Sequence, residues 1–99
     1  MGYYTHFTLA PEKLPTEVTD VITADWDANK AVIVREATKW YDYDPFMRKL
    51  SAQFPDITFT LFGEGEEAGD LWKAYYLGGK GYRSPARIVW DDFDPGRLA

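Results

Sequence analysis

From Tyr3 to Leu9 the chain alternates, with Tyr3, Thr5, Phe7 and Leu9 on one side and Tyr4, His6 and Thr8 on the other. This period of two in β-favouring residues predicts a strand, closed by Pro11. The period then lengthens: behind Pro15 and Thr16, Val18, Ile22 and Trp26 recur four apart, Val21 widens the stripe, and Glu17, Asp20 and Thr23 face away. That spacing predicts a short amphipathic helix. Ala31 to Arg35 is an apolar, β-branched run that reads as a buried strand, continuing toward Trp40 and Tyr41 past an irregularity near Ala37. Asp44 and Pro45 read as a helix start, a capping carboxylate followed by a proline whose missing N–H costs nothing in the first turn. Met47, Leu50 and Phe54 line one face of that helix, and Pro55 ends it. Ile57 to Phe62 alternates again, Leu71 to Leu77 follows, Gly78-Gly79-Lys80-Gly81 predicts a hairpin, and Ala86 to Trp90 reads as the last strand.

The resulting order is strand, helix, strand, helix, strand, strand, strand, with short connections and no internal repeat. It predicts a single α+β domain over residues 1–99, with two helices packed on one face of a mostly antiparallel sheet and the other face wet. Composition agrees with one core: the 99 residues are 45% hydrophobic and 17% aromatic, and with no cysteine the aromatic side chains must carry much of the burial. The absence of cysteine also removes thiol nucleophiles, zinc fingers and disulfides, and no apolar run approaches the roughly 20 residues of a membrane span. No secretory apolar region follows Met1, so a soluble cytoplasmic protein without membrane association is expected.

Charge changes this picture in one respect. The net charge of −5 argues against generic phosphate-backbone binding. Yet Leu71 to Trp90 carries Lys73, Lys80, Arg83 and Arg87 and no acid, which leaves the rest of the chain more acidic than the total indicates.

One stretch stands out. Gly63 to Asp70 sets four carboxylates and three glycines between two strand-like runs, with no base among them. Together with Thr38-Lys39-Trp40-Tyr41, Pro45, Met47, Leu50-Ser51, Phe54-Pro55, Phe59, Leu61, Trp72, Tyr75 and Gly79-Lys80, this stretch resembles a family of small proteins of unknown function encoded by bacteriophages and other bacterial mobile elements. The spacing Thr-x-Trp, Leu-Ser-x-x-Phe-Pro, Phe-x-Leu and then an acidic glycine-containing loop is similar, more distantly, to the ferredoxin-like domain of certain plasmid and phage proteins. The resemblance covers about residues 38–94. It implies a ferredoxin-like α+β fold and a phage setting in the cytoplasm of a bacterial host, and it supplies no catalytic assignment. The chain departs from a split βαβ pattern by offering one clear strand between its helices and an extra one at the end.

Glu64, Glu66, Glu67 and Asp70 are hard oxygen donors, but their spacing fits no EF-hand, which wants regularly alternating acids and a closing bidentate glutamate. The alternatives are a shaped turn, whose glutamates accept backbone N–H groups or meet Lys39 or Lys73, and a negative docking knob for a partner. Tyr43 and Trp72 are the aromatic neighbours expected to anchor such a partner, with Trp40 buried and Tyr43 exposed. Carboxylate pairs such as Glu64 with Glu66 or Asp42 with Asp44 have nothing beyond their presence to suggest acid–base work, and His6 would be the only base available to a serine nucleophile. No cofactor or metal is expected. The expected activity is therefore non-enzymatic binding of a host or phage protein, in host takeover or counter-defence.

A second class is kept open on the hairpin, where Lys73, Tyr75, Arg83 and Arg87 are expected to crowd the open sheet face. Basic and aromatic residues there are how RNA-recognition folds stack bases. Lys80-Gly81-Tyr82 begins like an RNA-recognition motif, but Arg83-Ser84-Pro85 departs from it. The glycine-rich link lacks the Gly-Lys-Ser or Gly-Lys-Thr sequence and following helix of a nucleotide phosphate loop.

Overall fold

In the computed structural model, which describes residues 2–99, four strands form one antiparallel sheet in chain order: β1 (Thr5–Ala10), β2 (Phe59–Gly65), β3 (Leu71–Leu77) and β4 (Lys80–Pro85). All the longer helical segments fall between β1 and β2: α1 (Thr16–Ala24), α2 (Trp26–Ala28) running into a π-helical turn (Asn29–Val34), and α3 (Tyr43–Gln53). The fold is α+β, as the alternation of periods two and four predicts.

The register explains the burial. Phe7, Leu9, Phe59, Leu61, Trp72, Ala74 and Tyr76 share one face of the sheet and are buried, in one core with Val18 and Ile22 of α1, Ala31 and Val32 of the π-turn, and Met47 and Leu50 of α3. The opposite face carries His6, Thr8, Phe62, Glu64, Lys73 and Tyr75. Between Leu77 and Lys80 the chain reverses through Gly78 and Gly79, both at positive φ (60° and 86°), the conformation that a two-residue hairpin with the native sheet twist demands.

Three expectations fail for identifiable reasons. Residues 31–35 form no strand. Asp25 interrupts α1 in an extended conformation, and its carboxylate accepts the Ala28 N–H at 3.0 Å, starting a new helical turn. Ala28, Ala31 and Val32 then fall on one helical face into the core, overriding β-branched propensity, until Arg35 ends the run at φ 67°. The same break throws Trp26 out of the α1 stripe into solvent.

The helix start also differs. Asp42, not Asp44, precedes α3, with no side-chain cap, and Asp44 lies in the first turn beside Pro45. The last strand is earlier than expected, because Lys80–Pro85 pairs directly from the tight turn and, among the described residues, 86–94 belongs to no strand.

Two side-chain networks fasten helix to sheet. Asp44 accepts from Arg48 Nε and from the Tyr76 hydroxyl, both at 2.9 Å, while Arg48 donates to the Gly81 carbonyl at 3.0 Å. The Arg48 contact holds the Asp44 carboxyl below its ordinary range, with Tyr76 adding to it against the effect of burial. Burial, and then the bond to Asp44, push the Tyr76 hydroxyl far up. Ser51, buried one turn on, accepts the Gly79 N–H at 2.9 Å and donates to the Arg48 carbonyl. The helix thus holds the hairpin turn through a hydroxyl.

Candidate functional site

The acidic stretch is half strand and half loop. β2 continues through Gly65, so Gly63 and Glu64 belong to the sheet, and only residues 66–70 form the connection to β3. The loop closes on itself, with Gly65 N–H donating to the Asp70 carbonyl at 2.9 Å and Asp70 N–H to the Glu67 carbonyl at 3.1 Å. A second tie comes from the far end of the chain. The Tyr3 hydroxyl donates to Asp70 Oδ2 at 2.5 Å and accepts the Glu67 N–H at 3.1 Å, and the Asp70 partner raises the Tyr3 hydroxyl above its ordinary range. Tyr3 is in turn held by its own N–H, which donates to the Tyr41 hydroxyl at 2.9 Å. Gly65 is required here, because any side chain would strike the Asp70 carboxylate and the Tyr3 ring that bind each other across it.

The expected site residues separate into two kinds. Glu64, Glu66 and Glu67 are exposed, and among the described residues no ion pair engages them; neither Lys39 nor Lys73 pairs with them. Lys39 instead lies 5.0 Å from the Tyr4 ring, and Lys73 4.9 Å from that of Phe62. Asp70 is half-buried and holds the loop rather than facing outward. Among the described residues no three acids or histidines converge as metal ligands would.

The two aromatic anchors also lie deeper than expected. Trp72 is only 7% exposed, and Tyr43 is half-buried and stacked on it at 4.9 Å, with burial pushing the Tyr43 hydroxyl up. Phe7 meets Trp72 edge-on, and Trp40 is buried beside Phe7 as expected. These rings are the floor beneath the loop. Above them Tyr3, Thr5, Thr38, Tyr41, Asp70 and Arg83 rim a small cleft of about 170 Å³.

The basic hairpin face does not assemble as expected. Arg83 pairs with Ala74, so it belongs to the opposite face from Lys73 and Tyr75. Its guanidinium stands 4.8 Å from the Trp72 ring and 3.9 Å from Asp70 Oδ1. Arg87 lies beyond β4, in the unpaired segment. The open face keeps Lys73 and Tyr75 and gains Tyr82, whose ring is 5.2 Å from that of Tyr75. Across this face runs a groove of about 680 Å³, with His6, Phe62, Leu71, Lys73 and Tyr75 among its walls.

Sequence reasoning missed Tyr3 and Tyr82. Tyr3 is 67 positions from its partner, and only the β1–β2 register, with Thr5 opposite Gly65, brings it to the loop. Tyr82 was within reach, because a two-residue turn after Leu77 fixes the pairing of Tyr75 with Tyr82. Comparison of the chain with protein-family models, with curated proteins and with solved structures finds no match.

Proposed function

We propose that this chain is a non-enzymatic, phage-encoded protein that acts in the cytoplasm of a bacterial host by binding a host or phage protein through its acidic loop. The supporting observation is the double tie from Tyr3 to Asp70 and Glu67, which fixes the loop while the Glu64, Glu66 and Glu67 carboxylates stay exposed and, among the described residues, without an ion pair. A preshaped cluster of carboxylates loses little entropy on docking and steers toward basic surfaces. A basic protein that ordinarily holds nucleic acid is the partner whose chemistry it suits. The phage setting rests on the motif resemblance. So does any ferredoxin-like kinship, which would run through helical segments combined with an antiparallel sheet, the longer of those segments all lying between β1 and β2.

The test is capture from bacterial lysate by the intact protein and by a variant carrying Glu64→Gln, Glu66→Gln and Glu67→Gln. A partner retained by the first, released by moderate salt and at least tenfold depleted with the second is the expected result. Equal capture by both, or none, removes the loop from the function. The Tyr75 and Tyr82 pair beside Lys73 favours a second reading, single-stranded nucleic acid on the open face. Salt-sensitive binding of single-stranded RNA, lost with Tyr75→Ala plus Tyr82→Ala, would establish it instead.

A further inference from the structure

After β4 the chain keeps one sheet hydrogen bond, from Ala86 N–H to the Leu71 carbonyl at 2.8 Å, and then leaves the body of the protein. Ile88 still brushes the acidic loop at Gly69. Beyond it Val89, Trp90 and Phe93 are 84%, 85% and 77% exposed. Among the described residues the bonds that order this arm are its own: Arg97 with Asp91, and the Asp94 carboxylate and carbonyl with the following turn at Pro95–Arg97. The protein is correspondingly elongated, 55 × 35 × 21 Å, with a radius of gyration of 16.5 Å, where a compact domain of this length has about 13 Å. Trp26, Tyr41 and Tyr82 are also exposed, but singly on the body of the protein, whereas Ile88, Val89, Trp90 and Phe93 lie exposed within six consecutive residues, and such a run marks a contact surface.

The same chain displays a matching receptor. The open-face groove has Phe62, Leu71 and Tyr75 as apolar wall, with Lys73 and Glu64 as its two charged groups. Pro85 and Ala86 form its rim, where the arm departs. Apolar Ile88, Val89 and Trp90 suit the wall, Asp91 and Asp92 suit Lys73, and Arg87 suits Glu64. We infer that two copies of this chain pair by exchanging arms, each laying residues 87–93 in the open-face groove of the other.

A twofold axis satisfies both complementary surfaces at once, which is the usual form of a soluble homodimer. An aromatic side chain covers roughly 150–250 Å². Two Trp90–Phe93 arms with their aliphatic neighbours, and the two grooves they cover, therefore reach the ~1,200–2,000 Å² of a specific interface. The groove shares Glu64 with the acidic surface but not Glu66 or Glu67, so the arm and groove substitutions below leave the loop's other carboxylates untouched.

Sedimentation equilibrium of the full chain between about 1 and 100 µM tests it. The expected species has twice the 11.4 kDa chain mass. Trp90→Ala with Phe93→Ala should raise the dimer dissociation constant by at least tenfold while leaving the far-ultraviolet circular dichroism unchanged, since neither ring packs in the core. Phe62→Ser with Leu71→Ser should do the same from the receptor side. Because an arm-defective chain keeps its groove and a groove-defective chain keeps its arm, mixing the two monomers should restore one of the two contacts and produce a mixed dimer that neither forms alone. A monomer at 100 µM, whether its arm is free or folded onto its own groove, overturns the inference. So does a dimer indifferent to the arm substitutions, or a mixture that stays monomeric.

Discussion

The two ends of β3 are each secured by a tyrosine hydroxyl bonded to an aspartate, and the two pairs do opposite things. At the C-terminal end Tyr76, fully buried, donates to Asp44, which Arg48 holds from the same helix. That pair fastens α3 to the hairpin from inside the core. At the N-terminal end Tyr3 donates to Asp70 at the protein's margin and ties the segment before β1 to the acidic loop, neither of which contributes to the core. The chemistry is the same and the surroundings differ, so the first bond contributes to stability and the second to the shape of a surface. A hydrogen bond near water is worth little in unfolding free energy, but it still selects one loop conformation among many.

The contrast is broken most severely at Tyr76. Tyr76→Ala removes a buried ring as well as the hydroxyl and should cost about 3–5 kcal/mol, a large part of the stability of a domain this small. Tyr76→Phe isolates the bond: loss of about 1.5 kcal/mol should lower Tm by roughly 6–12 °C in thermal denaturation followed by circular dichroism. If Tyr76→Phe melts like the natural protein, the inner pair is no more than an accompaniment to packing.

Acid sharpens the same point with a smaller effect. Asp44 has a lowered folded-state pKa, caused first by Arg48 and then by Tyr76, so its contribution is present above the unfolded carboxylate value of about 3.9 and disappears as pH falls through the folded value. Its side chain is 48% exposed, and the pair with Arg48 is correspondingly screened, to roughly 0.5–1 kcal/mol. Asp44→Asn should therefore melt a few degrees below the natural protein at pH 7. The two should converge once pH falls below the lowered folded value of Asp44, and a gap that persists in acid would mean that charge is not what Asp44 contributes.

Much of this inner half was legible along the chain. The strict alternation of Phe59 and Leu61, and of Trp72, Ala74 and Tyr76, announces buried strand faces, and Met47 with Leu50 announces the helix above them. Residues 31–35 misled because burial of Ala31 and Val32 overrides β-branched strand propensity once a cap such as Asp25 starts a helical turn, and the cap is visible only as one aspartate among several. Arg83 and the last strand were misplaced by a single cause: taking Ala86 as the start of β4, when the two-residue turn at Gly78–Gly79 starts it at Lys80. With β4 fixed from the turn, parity puts Arg83 opposite Ala74. The candidate site was half legible, since the acidic loop stands out in composition while its tether, Tyr3, depends on long-range register that no local pattern carries.

The smallest effect falls on the outer pair, and it separates shape from stability. Tyr3→Phe removes the donor to Asp70 and the acceptor of the Glu67 N–H but keeps the ring, and it lies outside the core, so its unfolding free energy should stay within about 0.5 kcal/mol of the natural protein. Loop geometry should respond nonetheless. Amide hydrogen exchange of Glu67 should quicken about tenfold, and that of Asp70 with it, while Ala74 in mid-sheet keeps its rate. If the acidic knob works through its shape, Tyr3→Phe should also weaken capture of the loop's partner without altering any carboxylate. Unchanged exchange at Glu67 would mean that the loop's own backbone bonds, from Gly65 to Asp70 and from Asp70 to Glu67, hold it alone. The tyrosine would then serve only to anchor the N-terminal residues against the sheet.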